Sequence, residues 1–389
     1  MAQPRALLVL AALSGLLLAC SPTTQKSAPA SAPAQPAKTA AATGAAVAPA
    51  CGDGPAVLAA MSTRDKLAQL LMVGVKDAAD ARAVVTTQHV GGIFIGSWTD
   101  LSMFSDGSLT TIAAAAGPLP LAVSVDEEGG RVSRLAKLIG SQLSPRELAK
   151  TQTPEQVYNI ALARGQAMRK LGITVDFAPV ADVSDEPDDA VIGDRSFGND
   201  PTLVTDYAGA YARGLRDAGL LPVLKHFPGH GHGSGDSHTG SVTTPPITDL
   251  QNDDLVPYRT LTAAAPVAVM VGHLQVPGLT GSDPASLSPA AYALLRSGGY
   301  GGPPFNGPVF TDDLSSMQAI SDRMGVSEAA LRGLQAGADT ALWVTTDEVP
   351  AVLDRLEKAL AAGELAMPQV DASLLRMAAV KGPSPRCGH

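Results

Sequence analysis

Four of the seven histidines in this 389-residue chain fall inside fourteen positions, Lys225-His226-Phe227-Pro228-Gly229-His230-Gly231-His232-Gly233-Ser234-Gly235-Asp236-Ser237-His238. Such density raises metal binding first, since imidazoles are common zinc ligands. Ligands alternating with glycine would hold an ion loosely, and Lys225 would oppose a divalent cation, so no metal is expected. At least one of His230 and His232 reads as a residue that satisfies loop backbone. Asp236 and His238 read differently. A carboxylate two residues from an imidazole can accept one ring N–H, fix the tautomer and favour the protonated form. A histidine held so is a competent general acid at neutral pH, and the glycines before it give the loop room to move. The bland alternative is a surface Asx turn.

A second carboxylate cluster comes after Pro308-Val309-Phe310-Thr311, where Asp312 and Asp313 end an apolar run. Side chains adjacent on a strand point to opposite sides, so one of the two should face inward while the other caps a helix from Leu314 onward. Spacing alone leaves that choice open.

These groups need a frame. Eight apolar runs without strict alternation recur along the chain. They are Leu70–Val75, Gly91–Ile95, Leu119–Val125, Val175–Val180, Val223–His226, Val267–Gly272, Pro308–Thr311 and Asp339–Val344. Runs of that kind belong to parallel strands covered on both faces. Between them lie helical patterns with recognisable caps. Thr153-Pro154-Glu155-Gln156 opens one through Met168, and Ser327-Glu328-Ala329-Ala330 opens one that Gly337 stops. Others cover Arg64–Leu70, Leu203–Ala218, Pro257–Ala265 and Val349–Ala361. The alternation predicts an α/β fold, a single (β/α)8 TIM-type barrel, with an open doubly wound sheet as the alternative. Catalytic groups of a barrel gather at strand C-terminal ends. Asp126, Asp182, Lys225-His226, His273 and Asp312-Asp313 all fall at such ends.

Composition bounds the rest. Hydrophobic residues make up 45% and charged residues 17%, enough for a large core, and the net charge of −9 argues against a nucleic-acid partner. Residues 1–19 carry Arg5 and then an apolar run from Ala6 to Ala19, too short for a comfortable membrane span. The segment ends in Leu17-Leu18-Ala19-Cys20, which resembles the lipobox of bacterial lipoproteins. That resemblance implies export, cleavage before Cys20, and a lipid anchor on Cys20 at the extracytoplasmic face of a membrane. The Ala/Pro/Ser/Thr-rich stretch from Cys20 to residue 50 reads as a tether, and 51–389 as the catalytic barrel. With Cys20 acylated, Cys51 and Cys387 remain as an even pair in an oxidising compartment, which predicts a disulfide.

Several stretches together resemble glycoside hydrolase family 3, in its β-N-acetylglucosaminidase branch. They are Val125-Asp126-Glu127-Glu128-Gly129-Gly130-Arg131-Val132-Ser133-Arg134, Phe177-Ala178-Pro179-Val180-Ala181-Asp182-Val183 and Ile192-Gly193-Asp194-Arg195-Ser196-Phe197. The Lys225–His238 segment and Phe310-Thr311-Asp312-Asp313-Leu314-Ser315 complete the set, in order over about residues 55 to 345. The resemblance implies an exo-acting retaining β-N-acetylglucosaminidase acting on cell-wall fragments. No cofactor is expected, and the chain is expected to act as a monomer. The resemblance implies Asp312 as nucleophile and Asp236 with His238 as acid/base pair. It further implies that Asp126, Arg134, Arg195, Lys225 and His226 bind the sugar; Asp182 matches a family position too and is read as structural support. A β-glucosidase of the same family and a silent sugar-binding lipoprotein are the competing expectations. Trp98 is the best-placed aromatic for stacking a sugar, with a plain rim role as its alternative.

Overall fold

The computed structural model describes residues 48–387 apart from Ala265. The expected signal segment, Cys20 and all but the last residues of the tether lie outside the described residues. Eight parallel strands close into a barrel: β1 Leu71–Gly74, β2 Gly92–Ile95, β3 Ala122–Val125, β4 Val175–Asp176, β5 Leu221–Phe227, β6 Ala268–Val271, β7 Val309–Asp313 and β8 Thr340–Trp343. Each pairs with its neighbours in chain order, and β8 closes on β1 through Leu71–Ala341 and Met72–Leu342. All eight fall within or across the apolar runs.

The fourth run differs from expectation. Regular pairing covers only Val175–Asp176, and Val180 returns as an isolated bridge to Lys225. Pro179 is the reason, since proline offers no N–H to the ladder. Hydrogen bonds from Phe177 to Val125 and from Ala181 to Lys225 still hold the segment in place.

The strands are buried on both faces, which is why they read as continuous apolar runs. Met72, Phe94, Phe177, Val223, Met270, Phe310 and Leu342 fill the barrel interior. Alternate residues such as Val73, Ile93, Val123 and Val269 face the surrounding helices. The capping signals act as expected: Thr153 and Gln156 form a reciprocal capping box on helix Pro154–Leu171. Helices Ala78–Gln88, Ser108–Ala114, Pro289–Ser297 and Met367–Lys381 carry weaker signals and are not among the predicted ones. The last of these places Met377 against the barrel interior, beside residues of the strand N-terminal ends.

At that same end Ala50 donates to the Pro118 carbonyl, and the Cys51–Cys387 disulfide is formed. It closes a loop across a sequence separation of 336 residues. Opening a loop that long restores freedom to the unfolded chain and costs up to roughly 5 kcal/mol of stability. Replacing both cysteines with serine should therefore lower the melting temperature markedly under oxidising conditions. Activity at 25 °C should survive, because the bridge is at the face opposite the strand C-terminal ends. An unchanged melting temperature would show that the bridge contributes nothing.

Candidate active site

At the C-terminal ends of the strands lies a cavity of about 220 Å3. All eight residues expected to act on substrate line it: Asp312, Asp236, His238, Asp126, Arg134, Arg195, Lys225 and His226. The apolar side chains beneath, Phe94, Phe177, Met270 and Leu342, are the top of the barrel core. Trp98 lines the rim and leans on Phe94 at 6.0 Å between ring centroids.

One wall is a charge network. Lys225 Nζ donates to Asp126 Oδ1 and contacts Glu128 Oε1, both at 2.6 Å. Arg195 grips Glu128 through two bonds of 2.8 Å. Burial alone would raise the Glu128 pKa, but Arg195 and Lys225 hold it far below the ordinary carboxylate range. Burial opposes the charge on Lys225 as well, yet Asp126 and Glu128 raise its pKa above the usual lysine value. Every charge in the wall is therefore paired, as burial requires. Sequence reasoning assigns Glu128 no role, although its position carries a signal. Residues 126 and 128 share one side of an extended segment, while Glu127 points away. Glu127 is buried on that other side against Arg164.

Asp182 lies beneath the cavity, fully buried, and accepts from the His226 ring at 2.7 Å and from the His226 and His230 amides. Taking the ring proton at Nδ1 leaves His226 Nε2 toward the cavity, where Arg195 Nη2 stands at 3.5 Å. Asp182 thus orients rather than touches, in keeping with its reading as structural support. Lys225 and His226 are adjacent yet both line the cavity. The β5–β6 register shifts between Leu224 and Phe227, and such irregularities break strict alternation.

The same effect corrects the expectation for β7. Asp312 and Asp313 both reach the cavity, and the β7–β8 register shifts between Phe310 and Asp313. Their oxygens distinguish them. Asp313 accepts from the Ser315 and Ser316 amides and hydroxyls, so both its oxygens cap the next turn. Asp312 accepts only the Asp313 amide, at 2.9 Å through Oδ1. Burial pushes its pKa up, but His273, His226, the Asp313 amide and Lys225 outweigh this and bring it to about 2. Asp312 is an ionised carboxylate with a free oxygen at the end of a buried strand.

Facing it across the cavity mouth is the β5–β6 loop. His238 donates its amide and ring Nδ1–H to Asp236 Oδ1, at 2.9 and 2.7 Å. Nε2 is left for a ligand, and the imidazole remains 61% exposed. The Asp236 carboxyl is held below its ordinary pKa: burial raises it, and the His238 bonds prevail. The loop is clasped at several points. Ala319 donates to the Ser237 carbonyl, Gln318 to that of His238, and His230 Nε2 meets Ser237 Oγ at 3.3 Å. Burial depresses the His230 pKa to about 4, so this ring is neutral.

At the loop's base His232 Nδ1 pairs with Asp254 Oδ2 at 3.1 Å. The Asp254 hydrogen bond raises the His232 pKa to about 9. A histidine with a raised folded pKa contributes stability below its unfolded value of 6.5, and that contribution fades as pH climbs through about 9. Because the ring is partly exposed, we expect His232→Asn to cost only about 1 kcal/mol at pH 6. Urea unfolding should show that cost disappearing by pH 10; a loss independent of pH would mean that packing, not charge, anchors the loop. His232, Asp253 and Asp254 also approach one another closely, but opposite ring nitrogens of His232 face the two acids.

A closed barrel whose end cavity brings together an ionised carboxylate, a paired charge network and a tethered Asp–His pair defines a barrel hydrolase suited to glycosidic bonds. Residues 62–380 match the glycosyl hydrolase family 3 N-terminal domain. The β-hexosaminidase LpqI of Mycobacterium tuberculosis is 67% identical over 395 residues, covering 100% of both chains. A crystal structure of a family 3 glycosyl hydrolase from Mycobacterium smegmatis superposes with a TM-score of 0.84 at 77% identity, covering 84% of this chain and 99% of that one. The family 3 β-N-acetylglucosaminidase of Paenibacillus sp. superposes with a TM-score of 0.77 at 34% identity, covering 82% of this chain and 62% of that one. The chain belongs to glycoside hydrolase family 3, and it is an enzyme of that class.

Proposed function

We propose that the protein is an exo-acting, retaining β-N-acetylglucosaminidase that removes terminal N-acetylglucosamine from cell-wall fragments. The observation that carries this reading is a single cavity holding ionised Asp312 together with an Asp236–His238 pair whose Nε2 is free. The whole-length relative being a β-hexosaminidase supports the choice of sugar.

In the first step an Asp312 oxygen bonds to the anomeric carbon as the bond to the leaving oxygen breaks. His238 Nε2 gives its proton to that oxygen, and Asp236 stabilises the changing imidazole. In the second step water attacks the same carbon, passes a proton to His238, and frees the Asp312 carboxylate. Asp126, Arg134, Arg195, Lys225 and His226 hold the sugar hydroxyls. The network around Glu128 fixes these groups beforehand, so little reorganisation is needed as charge develops. These steps balance without a cofactor.

The chain is further proposed to act as a monomer, lipid-anchored through Cys20 on the extracytoplasmic face of a membrane. Support for the anchor comes from the sequence between Arg5 and Cys20. Radiolabelled fatty acid should be incorporated by the protein and lost in Cys20→Ala.

The activity is tested by assaying an aryl N-acetylglucosaminide beside an aryl glucoside. Turnover of the first and not the second is expected. The reverse preference would make it a glucosidase, and silence on both a binding protein. A 5-fluoro N-acetylglucosaminyl probe with a good leaving group should label Asp312, identified by peptide mass mapping; a label elsewhere would overturn its role.

A further inference from the structure

We propose that His273, buried beneath the cavity, is a positioning residue that aims the Asp312 carboxylate at the anomeric carbon through the main chain of β7. This role rests on Asp312 being the nucleophile and deepens that reading.

His273 follows β6 by two positions, is 1% exposed, and is not one of the residues that line the cavity. Both ring nitrogens are engaged at 2.7 Å, Nδ1 with the Ser286 hydroxyl and Nε2 with the Asp313 carbonyl. A carbonyl oxygen only accepts, so Nε2 carries the proton. Burial lowers the pKa of the ring, although Asp312 and Asp313 pull it upward, so the imidazole is neutral at pH 7. Nδ1 is then an acceptor, and Ser286 donates to it. Ser286 is itself fixed at both backbone groups. Its amide donates to the Gly272 carbonyl, and its carbonyl accepts from the Tyr292 hydroxyl at 2.9 Å.

The carbonyl that this ring holds belongs to the irregular end of β7. Pairing of β7 with β6 runs through Val309, Phe310 and Thr311 and ends there among the described residues. The Asp313 carbonyl therefore takes its donor from a side chain, that of His273. On the other side of β7 the Leu314 amide donates to the Leu342 carbonyl of β8 at 2.9 Å. The peptide group between Asp313 and Leu314 is thus clamped from both neighbouring strands. The Asp313 carboxylate adds no such tie, since its bonds to Ser315 and Ser316 stay within the same turn and would move with it. One step back, the Asp313 amide donates to Asp312 Oδ1 at 2.9 Å. Holding Asp313 against the barrel keeps that amide in place, and with it the aim of the other Asp312 oxygen.

Three variants test this. Each is measured for kcat on an aryl N-acetylglucosaminide, for inhibition by free N-acetylglucosamine, for melting temperature, and for the rate at which the 5-fluoro probe labels Asp312. His273→Leu removes the donor and should lower kcat and the labelling rate by about a hundredfold, the cost of misplacing an attacking atom by about 1 Å. Inhibition by N-acetylglucosamine should stay within about threefold, because Asp126, Arg195 and Lys225 keep their partners. His273→Gln can bring an amide N–H close to the position of Nε2 and should recover most of the lost rate. Ser286→Ala leaves the ring's own donor in place and should cost about two- to tenfold, the worth of one hydrogen bond. A merely structural histidine would lower the melting temperature and leave kcat and labelling of the folded protein near native. That result in His273→Leu, a Gln variant no faster than Leu, or a loss of N-acetylglucosamine affinity as large as the loss of kcat would overturn the role. Should His273→Leu not fold, Ser286→Ala decides, and a native labelling rate there would overturn it. Failure of the probe to label Asp312 in the native protein would instead remove the catalytic reading, and this role with it.

Discussion

Asp312→Asn is expected to lower kcat on an aryl N-acetylglucosaminide by about three to five orders of magnitude, as removal of a covalent nucleophile commonly does. The amide matches the carboxylate in shape, so the Asp313 N–H keeps a carbonyl acceptor and the barrel end keeps its packing. What it lacks is charge and nucleophilicity. In the native protein burial opposes ionisation of Asp312, yet the surrounding donors and cations bring its pKa to about 2. Those groups stay in place around a neutral amide, and the developing positive charge of the sugar then has no counter-charge beneath it. Binding should suffer far less than turnover, because the network of Asp126, Glu128, Lys225 and Arg195 is unaffected. Asp313→Asn is the informative control. Its oxygens cap Ser315 and Ser316, so it should lower stability more than it lowers kcat. Near-normal hydrolysis by Asp312→Asn, or a deeper kcat loss in Asp313→Asn, would move the nucleophile to the neighbouring residue.

The choice between those two aspartates shows where sequence reasoning runs out. Alternation along a strand holds only while the register is regular, and both β5 and β7 shift register just where they meet the cavity. Local irregularity is how adjacent residues come to share a face, and a hydrophobic pattern carries no trace of it. The barrel itself was legible because burial on both faces forces continuous apolar strands. The strand ends were legible because polar residues there break that pattern. Glu128 was harder: its charge is cancelled by Arg195 and Lys225, which lie 67 and 97 positions away in sequence. Asp182 was visible at a strand end and as a support, but its partners, which come from β5 and the loop after it, were not. Resemblance contributed the assignment of roles; geometry adds the reason that each group can fill its role.

His238→Ala should separate substrates by their leaving groups. For an aglycone of high pKa the departing oxygen needs a proton in the transition state, and a positioned acid contributes about 10²–10⁴ in rate. Loss of that full factor is expected on a methyl glycoside or disaccharide. A dinitrophenyl leaving group departs as a stable anion, so the first step should slow little. The second step still needs His238 to take a proton from water. On the activated substrate the variant should therefore show a rapid burst of phenolate and then slow turnover, as the glycosyl-Asp312 ester accumulates. Asp236→Asn should fall between native and His238→Ala. The Asn side chain can still accept from Nδ1, which sets the tautomer, but it no longer supplies the charge that stabilises the imidazolium. With the imidazole 61% exposed, water shares in that stabilisation, so a loss of about ten- to a hundredfold is expected rather than the larger losses of buried dyads. Equal losses on activated and poor leaving groups, without a burst, would show that His238 binds the sugar and moves no proton.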